Sequence, residues 1–227
     1  MTFKKFVKEL NGQGVEGELI KTIVYSLITS LVVLGILYYF KFKRIDEFFP
    51  KYGFYLFFSA LSFALIMPTI RQIRAYKDLP CMSGMMVGMT IGMIAGFLPG
   101  FYVASTNGMF VGGFFGVALG IIMGIINGKC CGVMGVMEGI MAGFMGGLMG
   151  AMTSFMLFND NLKIAAVLVF AICAVTMTGL NYLIYKETRE IERKLTEDQF
   201  STIWLTFLLI AITTWIMVFG PRSAIFN

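Results

Sequence analysis

Two stretches decide the fold: Cys81-Met-Ser-Gly-Met-Met-Val-Gly-Met-Thr90 and Met134-Gly-Val-Met-Glu-Gly-Ile-Met-Ala-Gly-Phe-Met-Gly-Gly-Leu-Met-Gly-Ala-Met-Thr153. Residues 82–156 hold fourteen of the eighteen methionines and nineteen of the twenty-six glycines of the chain. Glycine recurs every fourth residue in three series, namely Gly84, Gly88, Gly92, Gly96 and Gly100; Gly108, Gly112, Gly116, Gly120, Gly124, Gly128 and Gly132; and Gly135, Gly139, Gly143 and Gly147. This spacing leaves one face of an α-helix without side chains and predicts helices whose backbones approach closely.

The composition points to a lipid bilayer. The chain has 227 residues, of which 58% are hydrophobic, and its mean hydropathy is +0.81. Backbone groups in hydrocarbon must bond to one another, so a spanning segment is a helix or part of a closed barrel. The apolar runs are about 18 to 25 residues long, which is helix length and about twice that of a barrel strand. The sequence therefore predicts an all-α, polytopic membrane protein that contacts lipid.

Seven transmembrane helices are expected, at about residues 22–40, 53–70, 82–103, 109–127, 133–158, 163–185 and 202–219. A polar turn is predicted at residues 104–108, and a charged linker at residues 71–80. The charged stretch 186–199 is expected to extend the sixth helix into water. The chain divides into residues 1–80 and 159–227, with two spans each, and a central glycine-zipper module of three helices at residues 81–158.

Charge and missing residue types limit location and function. In the seven-span arrangement, twelve lysine and arginine residues lie on the same side of the membrane as the N-terminus, and six lie on the opposite side. This excess predicts a protein of the cell membrane whose N-terminus is cytoplasmic. No cleaved signal peptide is recognised at the start. The absence of histidine excludes serine–histidine and cysteine–histidine catalysis, and an enzyme is not expected. No basic stretch with interleaved aromatics suggests nucleic acid.

Methionine forms two rows at helical spacing. The first row lies along the third span. The second row lies along the fifth span, rotated about 200° around the helix axis from the glycines of that span. The rows comprise Met82, Met85, Met86, Met89 and Met93, and Met134, Met137, Met141, Met145 and Met149, which Met152 and Met156 extend. Neutral thioethers select Cu(I) over harder ions, so the rows are candidates for a path of weak metal sites. The alternative is that methionine, a flexible side chain, fills irregular gaps between the helices.

Cysteines complete the predicted metal site. If the third and fourth spans are antiparallel, then Cys81, Cys130 and Cys131 meet at one membrane face beside Met82 and Met134. Thiolates bind Cu(I) more strongly than thioethers do, so this cluster is the predicted capture site. If the protein has the opposite orientation in the membrane, the alternative to a metal site is a disulfide between Cys81 and Cys130 or Cys131. Cys173 lies in the middle of the sixth span and is expected to be a small, buried apolar residue.

Glu138 is the one carboxylate of the central module. An acidic group within a membrane is a functional candidate, so Glu138 could offset the charge of a cation or carry a proton. The alternative is an ion pair with Lys129, Arg71 or Arg74 near the same face.

The two quoted stretches resemble a poorly characterised group of bacterial Gly/Met-rich membrane proteins, some of which are joined to a cupredoxin-like copper domain. The resemblance covers the central third of the chain, and no cupredoxin domain is present here. The combination of Met-x-x-x-Met with Gly-x-x-x-Gly is also similar to eukaryotic copper-transporter channels. Those channels have three spans and a methionine-rich tail, whereas this chain has about seven predicted spans and no such tail. The resemblance therefore extends only to the use of methionine thioethers in glycine-rich membrane helices.

The sequence thus favours a membrane protein that binds or transports a soft monovalent metal ion, and Cu(I) is the predicted ion. One alternative is a structural or assembly protein that forms a homo-oligomer, or binds a membrane partner, through its glycine grooves. Another is a lipid or small-molecule channel that uses Glu138.

Overall fold

Seven long helices make up most of the described chain. The computed structural model describes residues 17–40, 52–75, 80–129, 132–188 and 199–222. The helices are α1 (Gly17–Phe40), α2 (Phe54–Ala75), α3 (Cys81–Asn107), α4 (Met109–Gly128), α5 (Gly132–Met156), α6 (Leu162–Thr188) and α7 (Gln199–Phe219). Each is long and apolar enough to cross a bilayer. The predicted all-α, polytopic membrane fold is therefore confirmed.

The turn predicted at residues 104–108 is wrong, because α3 continues as far as Asn107. The hydroxyls of Ser105 and Thr106 donate to the carbonyl oxygens of Tyr102 and Val103, at 2.6 and 3.0 Å. These local bonds satisfy the polar side chains within the helix, so polarity does not end it. Gly108 alone separates α3 from α4, with a φ of 111° that glycine adopts without a steric penalty.

Helix α2 also runs past its predicted end, through Pro68 to Ala75. A proline costs one backbone hydrogen bond, which membrane helices tolerate when neighbouring groups compensate. Arg71 is buried, and its guanidinium donates to the Thr22 hydroxyl of α1 at 2.8 Å. Because the arginine has a buried partner, part of the segment predicted as a charged linker belongs to the helix. Residues 76–79, 189–198 and the N-terminal residues 1–16 lie outside the described part of the chain.

The three glycine series meet along one line between α3, α4 and α5, which we call the glycine seam. A methyl group added to Gly92 or Gly96 of α3 would lie 2.9 Å from the carbonyl oxygen of Gly139 or Gly143 in α5. One added to Gly120 of α4 would lie 2.8 Å from the Gly143 Cα. No real side chain fits at such distances, so the backbones themselves are in contact. Close approach of this kind gains the dispersion energy that holds membrane helices together.

The other four helices gather beside the three-helix bundle. Helix α2 contacts α1, α3, α6 and α7, whereas α5 packs chiefly against α3 and α4. Helix α3 belongs to both groups. Ile91, Leu98 and Tyr102 of α3 are fully buried, and the Ser62 hydroxyl of α2 bonds to the Tyr102 hydroxyl at 3.4 Å. Thus α3 joins the glycine seam to the helices around α2.

Contacts between helix ends fix which ends share a membrane face. Asn107 Nδ2 at the end of α3 donates to the Ile216 carbonyl oxygen of α7 at 2.7 Å. Arg222, just after α7, donates to the hydroxyl of Tyr52, just before α2. With the single-residue turn at Gly108, these contacts define one side of the helical array, called the Gly108 face from here on.

Substitution by alanine at two adjacent glycines of α4 should affect the stability of the protein differently. A methyl group on Gly112 would lie 2.5 Å from the Ala104 Cα, whereas one on Gly113 would lie 3.6 Å from the Ala151 Cβ. We expect Gly112→Ala to destabilise the protein by about 1–3 kcal/mol, the usual cost of overpacking. Gly113→Ala should be tolerated. Thermal unfolding in detergent measures both variants, and equal melting temperatures would contradict the packing at the seam.

Candidate metal site

The methionine row of α5 lies on the outer surface of the three-helix bundle. Met137, Met141, Met145 and Met149 are between 53% and 61% exposed. Met134, Met152 and Met156 are exposed as well. The reason is geometric: the glycines of α5 face α3 and α4, and residues two positions away point in the opposite direction.

The row on α3 also lies largely at the surface of the three-helix bundle. Met82, Met86, Met89 and Met93 are exposed, and Met85 is half-buried. Where α3 and α5 face each other, the contact is made by glycine backbones, as at Gly96 and Gly143. An ion has no room at such a contact. Both methionine rows therefore lie outside the glycine seam, and their role as a metal path stays a prediction.

Near the predicted capture site, α3 contacts α4 and α5. A methyl group added to Gly88 of α3 would lie 3.0 Å from the Gly128 Cα of α4 and 3.2 Å from the Gly135 carbonyl oxygen of α5. The second turn of α3, which lies about 10 Å along the helix from Cys81, is thus a neighbour of the end of α4 and the start of α5. Cys130, Cys131 and the side chain of Cys81 lie outside the described residues. Met82 and Met134 are exposed, and the cysteine cluster stays a prediction.

Glu138 lies about 9 Å along α5 from its first residue, at a rise of 1.5 Å per residue. Its side chain is half-buried, Lys129 at the end of α4 is exposed, and Arg74 is half-buried. Arg71 is buried and donates to Thr22 of α1. The functional role of Glu138 and its ion pair both stay predictions.

Three sulfur-bearing side chains line one groove between α3 and α6. The groove has a volume of about 380 Å³. Met89 and Met93 of α3 face it together with Cys173 of α6, which is a half-buried free thiol. Cys173, expected from the sequence to serve apolar packing, is thus placed beside two predicted metal ligands.

The remaining polar groups of the groove already have hydrogen-bond partners. The hydroxyls of Thr90 and Thr176 donate to the carbonyl oxygens of Met86 and Ile172 in their own helices, at 2.7 and 2.9 Å. The other walls are Ile94, Phe97, Val169 and Ile172. Soft sulfur is therefore the characteristic donor of this groove. In the part of the chain that the structure describes, no three His, Cys, Asp or Glu side chains come together to hold a metal.

Sequence reasoning found two of these three residues and missed the third. Met89 and Met93 stand four apart, so they share a helix face and were recognisable as a pair. Cys173 is one small residue in a run of apolar ones, and its spacing carries no signal. Only the packing of α6 against α3 makes it a neighbour of the methionines.

Comparisons with models of protein families, with curated proteins and with solved structures found no match.

The outward position of the α5 row can be tested by truncating two methionines. Met123 of α4 is 4% exposed, whereas Met145 of α5 is 55% exposed. We expect Met123→Ala to cost about 2–5 kcal/mol of stability, because a buried truncation leaves a cavity. Met145→Ala should cost much less, since lipid can fill the space. Unfolding in mixed micelles compares the two, and an equal or larger loss for Met145→Ala would place that side chain inside.

Proposed function

We propose that this multi-pass membrane protein binds a soft monovalent metal ion, Cu(I), in the groove between α3 and α6. The thioethers of Met89 and Met93 and the thiolate of Cys173 are the proposed ligands. The observation that carries the proposal is the meeting of these three sulfur-bearing side chains from two helices in one groove. Thiolate and thioether donors select Cu(I) over the harder ions that prefer oxygen.

The charge balance of the groove favours a monovalent ion. Cys173 loses its proton when a metal binds, since the thiolate is the metal ligand. One thiolate and two neutral thioethers around Cu(I) make a complex without net charge. Such a complex avoids the large cost of an uncompensated charge in an apolar environment. A divalent ion at the same three ligands would leave one positive charge in the membrane.

The exposure of the methionines weighs against the simplest alternative explanation. A methionine that fills gaps in a core is buried, as Met67, Met177 and Met217 are. Met89 and Met93 instead line a groove, and they are exposed. The exposed positions of α6 hold Ile164, Val167 and Leu168, which are the usual residues at a lipid-facing surface. Intrachain packing therefore does not account for methionine at these positions of α3.

The test is Cu(I) binding by purified protein under reducing conditions, measured by competition with a chromophoric Cu(I) chelator. We expect Cys173→Ser, and separately Met89→Leu combined with Met93→Leu, to lower the affinity of one site at least tenfold. Leucine conserves volume, so these methionine changes should leave the fold intact. Because binding releases a proton from Cys173, the apparent affinity of this site should rise with pH.

The matched control is Met141→Leu combined with Met145→Leu, two exposed methionines of α5 outside the groove. This variant should bind as the wild type does at the site between α3 and α6. Equal binding by the wild type and by a variant lacking all three sulfurs of the groove would exclude the proposed site.

The predicted cysteine capture site is tested by a separate variant in which Cys81, Cys130 and Cys131 are all changed to serine. If these thiols form a second site, the stoichiometry of Cu(I) falls in this variant while the Cys173 site is retained. Ag(I) serves as a redox-stable probe of the same soft ligands. Unchanged stoichiometry in the triple variant would remove the capture site from the proposal.

The second candidate function is that of a structural or assembly protein. The observation that favours it is the outer face of α5, whose exposed side chains are not covered by the flanking helices described here. In that case methionine serves only as an adaptable apolar contact. Leucine variants of all the methionines would then assemble and function normally, and metal binding would be absent.

A further inference from the structure

A second groove lies between α4 and α5, away from the sulfur-lined groove. Its volume is about 920 Å³. Its walls are mainly large apolar side chains, of which Phe110, Phe114 and Phe144 are at least half exposed. Arg222 and Asn107 line the same groove at the Gly108 face. The groove is therefore apolar along the bundle and carries a positive charge at one end.

The length of the groove matches one leaflet of a bilayer. Its wall on α5 runs from Phe144 through Leu148 to Phe155. Eleven steps of 1.5 Å correspond to about 16 Å along the helix. The hydrocarbon core of a bilayer is about 30 Å thick, so one leaflet contributes about half of it. The apolar part of the groove thus extends from the Gly108 face roughly to the middle of the membrane.

The charged end of the groove is held in place by contacts with other helices. Arg222 donates to the hydroxyl of Tyr52, and its guanidinium carbon lies 5.8 Å from the centre of the Tyr52 ring. Tyr52 itself is buried. Asn107 donates to the Ile216 carbonyl oxygen and so fixes the end of α7, just before Arg222. A guanidinium has five N–H donors in a planar fork, and only one is engaged by the Tyr52 hydroxyl.

We propose that this groove binds one phospholipid molecule, with its phosphate on Arg222 and one acyl chain along the aromatic wall. Arginine binds phosphate through paired, charge-assisted hydrogen bonds, which are stronger and more directional than neutral ones. An apolar trough one leaflet long with a cation at the headgroup level has the polarity pattern of a phospholipid. The proposal is independent of the metal site.

The headgroup contact is tested by counting the lipid retained by the protein in native mass spectrometry. The protein is reconstituted in bilayers of phosphatidylglycerol and phosphatidylcholine and then released into detergent. We expect the wild type to retain one phospholipid, and Arg222→Gln to retain it about tenfold less, the effect of losing one charge-assisted interaction. Arg222→Lys keeps the charge and should retain most of the lipid. Lys163→Gln removes an exposed charge from the start of α6, outside the groove, and should behave as the wild type does.

The acyl-chain contact is tested at Gly113, which lines the groove. A methyl group there makes only ordinary contacts, 3.6 Å from the Ala151 Cβ and from Leu148 Cδ2, so Gly113→Ala is the matched control. Gly113→Leu would occupy the space of the acyl chain and should lower lipid retention with Arg222 intact. Phe155→Ala, at an exposed position of the wall, provides a second change at the apolar part that should weaken retention.

Several results would overturn the proposal. Equal loss of lipid in Arg222→Gln and Lys163→Gln would show a general effect of surface charge. Loss only on changing Arg222, with Gly113→Leu and Phe155→Ala unaffected, would indicate a site for phosphate alone. A dimer that dissociates on Gly113→Leu would identify a second copy as the occupant. Lipid retention that appears only after deletion of residues 223–227 would show that the chain's own C-terminus fills the groove.

Discussion

The contact between three helix backbones along the glycine seam is the constraint on which the rest of the structure depends. Lipid tails are as apolar as leucine, so burial of apolar surface does not drive helices together inside a bilayer. What remains is close contact, and here Gly96 of α3, Gly116 of α4 and Gly143 of α5 approach one another without intervening side chains. Any larger residue at such a point would force the backbones apart and weaken the interaction along its length.

This inner contact also decides where the long side chains go. Because the glycines occupy the inner face of α5, its methionines lie on the outside of the bundle. The seam is occupied by backbone contacts, and most methionine side chains of α3 and α5 lie at the periphery of the three-helix bundle. There Met89 and Met93 of α3 reach the groove against α6. Two thioethers of α3 and one thiol of α6 line this groove together.

The two grooves have a common structural origin and different chemistry. Each lies where two neighbouring helices leave a gap that large exposed side chains border. In the first groove the distinctive groups are two thioethers and a thiol, which suit a soft cation. In the second they are aromatic rings ending at Arg222, which suit an anionic headgroup with an acyl chain. Helix α3 and the contacts at the Gly108 face hold both grooves in a single framework, since Asn107 joins α3 to α7.

The sequence by itself determined the all-α membrane fold, its seven spans and the identity of the three glycine-bearing helices. Those properties follow from local hydropathy and from the helical period, which a single chain displays directly. It misplaced the ends of α2 and α3, because Arg71 and the hydroxyls of Ser105 and Thr106 find partners that composition does not reveal. Only the tertiary structure decided that the α5 methionines face outward, that Cys173 joins Met89 and Met93, and that Arg222 ends an apolar groove. Sequence periodicity indicates which residues share a face of one helix. Which helix packs against that face is decided by contacts between segments that are distant in the chain.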